Sequence, residues 1–144
     1  MDIGDVDLME LLPVGILVDS NIRTLDKFGY SFSLKGIDFE TCVTMACVKE
    51  VVRFGSIELV IAEKNFFGGS IDDIVKLSKS SERNFKVVLW TDGKDTTDEE
   101  LLATPGIIAV IHKALPFDKM FKKISQLIPP KKVIMPKKTV PVKV

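Results

Sequence analysis

Four short apolar runs in this chain are each followed at once by side chains capable of chemistry. Val14–Val18 leads into Asp19, Ser20 and Asn21, and Leu59–Ala62 into Glu63. Val87–Trp90 leads into Thr91, Asp92 and Gly93, and Ile107–Ile111 into His112 and Lys113. If the runs are parallel strands, two carboxylates, a hydroxyl and an ammonium meet along one edge. Two acids beside a cation and a hydroxyl are the parts that hold a divalent metal and a phosphoryl group. An acyl phosphate forms on a carboxylate only where metal and Lys neutralise its charge. Glu63 is the acid in question: it closes a buried run and opens a loop, "EKNFFGG", carrying two aromatics, Phe66 and Phe67.

The elements that must position these groups are readable from spacing. The apolar runs, with Phe39–Val43 as a fifth, are of strand length, rich in Val and Ile, and lack clean alternation. That suits strands buried on both faces of a parallel sheet. Helical spacing appears between them. Ile22, Leu25, Phe28 and Phe32 predict a first helix stopped at Gly36, and Met45, Val48, Val51 and Val52 a second. Ser70 with Asp73 resembles a capping box opening a third, over Ile71, Ile74, Val75 and Leu77. Thr96–Ala103 is a short acidic fourth. Asp118–Ile128 is the fifth, with Met120, Phe121, Ile124, Leu127 and Ile128 on one face and Lys119, Lys122 and Lys123 on the other. Five strands alternating with five helices predict a doubly wound α/β sandwich, in which chemistry lies beyond the carboxyl ends of the strands.

Composition bounds the rest. With 144 residues, 46% hydrophobic and 28% charged, the chain is long enough for one real core. The expected division is a lead over 1–12, a domain over 13–129 and an extended tail over 130–144. Twenty basic and twenty acidic residues cancel, but the five Lys at 131, 132, 137, 138 and 143 stand in the tail without an acid. Removing those five leaves 15 basic against 20 acidic residues, so the body is net acidic. Nothing global points to nucleic acid or membrane: no run approaches the roughly 18 apolar residues of a spanning helix, and the N-terminus is acidic, unlike a signal peptide. Cys42 and Cys47 make neither a disulfide framework nor, beside one His, a zinc site. They read as reduced thiols in a cytoplasmic protein.

"ILVDSN", "LVIAEKNFF", "VVLWTDG" and "VIHKALPFD", in this order and spacing, resemble the four motifs of the receiver domain of bacterial two-component response regulators, over about residues 13–128. The resemblance implies a flavodoxin-like receiver fold of five parallel strands and five helices. It also implies an acidic pair holding Mg²⁺ after strand one and a phosphoacceptor Asp after strand three. A Thr or Ser then ends strand four and a Lys-Pro pair ends strand five. Thr91 and Lys113 match. Asp19 matches the first acid, but Ser20 replaces the second, which is the more direct metal ligand. Glu63 stands at the phosphoacceptor position. Phe66-Phe67 replaces a Met-Pro pair, Ala114-Leu115 separates Lys113 from Pro116, and Val110 occupies the place of a switch aromatic.

These departures imply a pseudo-receiver, a non-catalytic module that signals by protein–protein binding. Glu63 is one methylene longer than Asp, so its carboxylate is expected within salt-bridge reach of Lys113, where a phosphoryl group would form. No cofactor is expected. Mg²⁺ would bind weakly, with only Asp19, Glu63 and the Asn65 backbone to hold it. Phe66, Phe67, Lys119, Lys122 and Lys123 are the partner-facing candidates. The fourth helix, fifth strand and fifth helix, the output face that the resemblance implies, present acids and Lys that suit a homodimer. A phosphoaccepting receiver using Glu63 is the alternative. A flavodoxin-like flavin or nucleotide binder is a third reading, opposed by the loop "DSNIRT", which has no Gly to wrap a phosphate.

Overall fold

A computed structural model describes residues 13–81, 84–92 and 104–129. Five strands form one parallel sheet: β1 (Gly15–Val18), β2 (Phe39–Cys42), β3 (Leu59–Ala62), β6 (Lys86–Thr91) and β7 (Ile107–His112), in the order β2-β1-β3-β6-β7. Around it lie α1 (Ile22–Leu34), α2 (Met45–Phe54), α3 (Ile71–Ser80) and α4 (Phe117–Ser125). The predicted helix over Thr96–Ala103 falls outside the described residues, as do the lead over 1–12 and the tail over 130–144. Among the described residues no helix is long and apolar enough to cross a membrane.

The lack of alternation in the strands now has a physical account. Successive strand residues point to opposite faces, and both faces are covered. Ile16, Val18, Val60, Ala62, Val87 and Leu89 pack with residues of α2 and α3 on one side. Leu17, Leu59, Ile61, Val88, Trp90 and Ile111 pack with α1 and α4 on the other. Gly15 is required where β1 passes β3, because a Cβ there would run into the Leu59 carbonyl and the Phe39 ring.

The helix ends follow local chemistry. Asn21 caps α1, its Oδ1 accepting from the Arg23 and Thr24 amides at 2.9 and 3.2 Å. Gly36, at φ 86°, ends α1 in a Schellman turn: its N–H donates to the Ser33 carbonyl and that of Ile37 to Phe32, both at 3.0 Å. Asp73 accepts the Ser70 N–H at 2.9 Å, completing the predicted capping box of α3.

Two differences from the sequence reading have clear causes. The loop after β3 contains a two-stranded hairpin, β4 (Asn65–Phe66) with β5 (Gly69–Ser70), made possible by Gly68 at φ 78°. The cysteines, expected as reduced thiols, are joined as a Cys42–Cys47 disulfide. The turn between β2 and α2 brings their Cα atoms to 5.5 Å, inside the range a disulfide needs. Their separation along the chain did not reveal that turn.

Candidate functional site

Because the strands are parallel, Asp19, Glu63, Thr91 and Lys113 all lie at the same edge of the sheet. Each backbone is locked by a bond to the neighbouring strand. Asp19 N–H donates to Cys42 O at 3.2 Å, Glu63 N–H to Val18 O at 3.2 Å and Lys113 N–H to Thr91 O at 2.7 Å. The ladder thus runs one residue past the strands, and the side chains start from rigid backbone.

Asp19 is buried, with its side chain only 2% exposed. Its Oδ1 accepts the Asn21 N–H at 2.8 Å, closing the turn into α1. Its Oδ2 accepts no aligned hydrogen bond, but the Lys113 ammonium lies 2.6 Å away and meets the charge as an ion pair. Glu63 spans the pocket: Oε1 accepts the Ser20 N–H at 2.6 Å, and Oε2 lies 3.4 Å from Lys113 Nζ. The same ammonium stands 5.4 Å from the centre of the Trp90 ring, a cation–π distance. Trp90 is itself fixed by an Nε1–H bond to Val18 O at 3.1 Å and an edge contact with Phe28. Lys113 is therefore held by two carboxylates and an aromatic face, and Glu63 by an amide and an ammonium. Thr91, half-buried, closes β6 beside them.

Sequence reasoning foresaw neither Asp19 as the nearer partner of Lys113 nor Trp90 beneath it. The signal was present for Trp90: it precedes Thr91 by one residue and so belongs to the opposite face of β6, the face α1 and α4 cover. Of the two loop aromatics taken as partner-facing, Phe66 is corrected. It is 8% exposed and packs into the core with Met45 and Ile71, whereas Phe67 is 60% exposed. Phe66 ends β4 against the core, and Phe67 follows it at the hairpin's turn, so the pair does not share one surface. Asn65 pairs with Ser70 in the hairpin. Lys119, Lys122 and Lys123 are exposed on α4.

The residues present do not fit a magnesium ion. Mg²⁺ demands near-ideal octahedral oxygen geometry. Here Asp19 Oδ2 and Glu63 Oε2 face an ammonium, Asp19 Oδ1 and Glu63 Oε1 take backbone N–H groups, and Ser20 supplies no carboxylate.

No protein-family model matches the sequence, and no curated protein matches it. Solved structures do. A response regulator from Thermotoga maritima superposes with a TM-score of 0.67 at 19% identity, covering 82% of this chain and 98% of that one. A response regulator receiver domain from Clostridium thermocellum gives 0.69 at 18% identity, covering 86% and 100%. The chain has the receiver-domain fold. An orphan response regulator of H. pylori shares that receiver fold, with a TM-score of 0.65 at 13% identity, covering 81% of this chain and 97% of that one. In this receiver fold, the pocket described above lies at the carboxyl edge of the sheet, where open α/β sheets place their ligands.

Proposed function

We propose that this chain is a receiver-type signalling module, in the cytoplasm, whose phosphorylation pocket is filled by its own side chains and which acts by binding another protein. The observation that carries this reading is the double hold on Glu63, by the Ser20 amide at 2.6 Å and by Lys113 at 3.4 Å. A phosphoryl group built on Glu63 would need both donors, and Lys113 is already committed to Asp19 at 2.6 Å. Asp19 would then face a new anion without its counter-ion. At about 4 Å and an effective dielectric near 20, each like-charge pair costs roughly 4 kcal/mol. The Glu63 carboxylate, bridged to Lys113, stands in for the anion that an active pocket would acquire.

The partner-binding surface in this reading has two parts. Phe67 projects from the hairpin. The other part comprises the exposed Lys119, Lys122 and Lys123 of α4 and, on the edge strand β7, Ile108, which is 47% exposed. The second part suits either a different acidic protein or a second copy of this chain, whose predicted fourth helix supplies acids. A phosphoaccepting receiver is the competing reading, favoured by Thr91 and Lys113 standing at the same edge as Glu63.

The deciding experiment is incubation of the full chain with a small acyl phosphate and Mg²⁺, followed by intact mass measurement. No phosphate is expected to remain on the protein. A gain of one phosphate that disappears in Glu63→Gln would overturn the closed-pocket reading.

A further inference from the structure

Cys42 closes β2, and Cys47 lies in the first turn of α2, five positions later. Thr44 caps that helix, its Oγ1 accepting the Cys47 N–H at 3.1 Å. The pair takes no part in the pocket's ion pairs. Because the stabilisation a disulfide gives grows with the length of loop it closes, this short loop gains less than a long-range bridge would.

The two sulfurs stand in unlike surroundings. Cys42 is 1% exposed, among Val18, Met45 and Val48. Cys47 is half-buried in the first turn of α2, so solvent reaches its side of the bond. One sulfur open to attack beside a buried one that can leave is an asymmetry that exchange chemistry uses. The bond also joins two structural features. The Cys42 carbonyl accepts the Asp19 N–H at 3.2 Å, at the edge of the pocket. On the helix side, the Met45 N–H donates to Phe67 O at 3.1 Å, and Thr44 makes a parallel bridge to Phe67.

We propose that Cys42–Cys47 is a thiol–disulfide exchange site for low-molecular-weight thiols or a dithiol protein, and that its redox state sets how firmly the Phe67 hairpin is held. In reduction, an external thiolate attacks Cys47 Sγ, the sulfur–sulfur bond breaks, and Cys42 leaves and takes a proton. A second external thiolate attacks the external sulfur of the mixed disulfide and releases the Cys47 thiolate. Two external thiols are oxidised to one disulfide, and the protein bond is reduced to two thiols. The open form lets the β2–α2 turn relax and loosens the Met45–Phe67 bond. This holds whether or not the pocket accepts phosphate.

The test equilibrates the full chain in glutathione buffers of graded potential, quenches with an alkylating agent and counts alkyl groups by mass. One two-electron transition is expected, from two alkyl groups to none. Hydrogen exchange at the two ends of the series should show amides of 44–47 and 65–70 exchanging about tenfold faster in the reduced protein. Cys47→Ser, which cannot close the bond, should show the faster exchange at every potential. Three outcomes would overturn the proposal. They are thiols that stay alkylatable at the oxidising end, a bond that opens only after denaturation, and identical exchange in the two forms.

Discussion

Lys113 meets two carboxylates at unequal distances, and the difference decides what each is worth. Asp19, at 2.6 Å, is buried, while Glu63, at 3.4 Å, keeps 18% of its side chain exposed. Removing the ammonium leaves Asp19 Oδ2 buried without a counter-charge. Lys113→Met should therefore cost about 1–3 kcal/mol in urea unfolding, below the cost of breaking a wholly buried pair because Lys113 is itself partly solvated. Glu63→Gln should cost about 0–1 kcal/mol, since it loses only a partly exposed ion pair. Adding Asp19→Asn to Lys113→Met should recover part of the loss, because the two residues are directly coupled. Equal costs for Lys113→Met and Glu63→Gln would mean that Asp19 is not the principal partner. The sequence made Asp19, Glu63 and Lys113 legible as a group, because each directly follows a strand. Which carboxylate lies nearer depended on side-chain reach and burial, and spacing does not encode those.

At the scale of elements, the hairpin β4–β5 separates two neighbouring Phe residues that look interchangeable in the sequence. Phe66 fills space between α2 and α3, and Phe67 faces solvent. Phe66→Ala should destabilise by about 3–5 kcal/mol, the usual range for a buried Phe. Phe67→Ala should stay within about 0.5 kcal/mol, as surface changes do. Thermal and denaturant unfolding check both. If binding to a partner runs through this loop, Phe67→Ala weakens it with the melting temperature unchanged. The helix caps were readable in advance because they act within five residues: Ser70 with Asp73, and Gly36 after α1. A two-residue strand pair carries no periodicity, so the hairpin was not. The β2–α2 turn was missed for a related reason. Thr44 as a helix cap is a local signal, but the approach of Cys42 to Cys47 depends on the angle at which α2 leaves the sheet.

For the whole molecule, the sheet closes within residues 13–129. Ile128, 4% exposed, packs beside α4 in the cluster that covers one face. A chain ending at Pro129 should therefore unfold cooperatively with its denaturant midpoint unchanged. Binding to an acidic partner should weaken and lose salt dependence when the five Lys beyond residue 130 are removed, because salt screens attraction between opposite charges. A fall in the midpoint would show that residues beyond Pro129 belong to the folded unit. The layered α/β architecture and the strand ends that bear Asp19, Glu63, Thr91 and Lys113 were legible in the sequence, because they follow from periodicities and chain order that each segment carries internally. Packing was needed to show that Lys113 lies closest to Asp19, that Trp90 stands beside it, that one Phe is core and the other surface, and that two cysteines meet. Those outcomes rest on side-chain direction and on how closely neighbouring elements approach, both set when the helices pack on the two faces of the sheet.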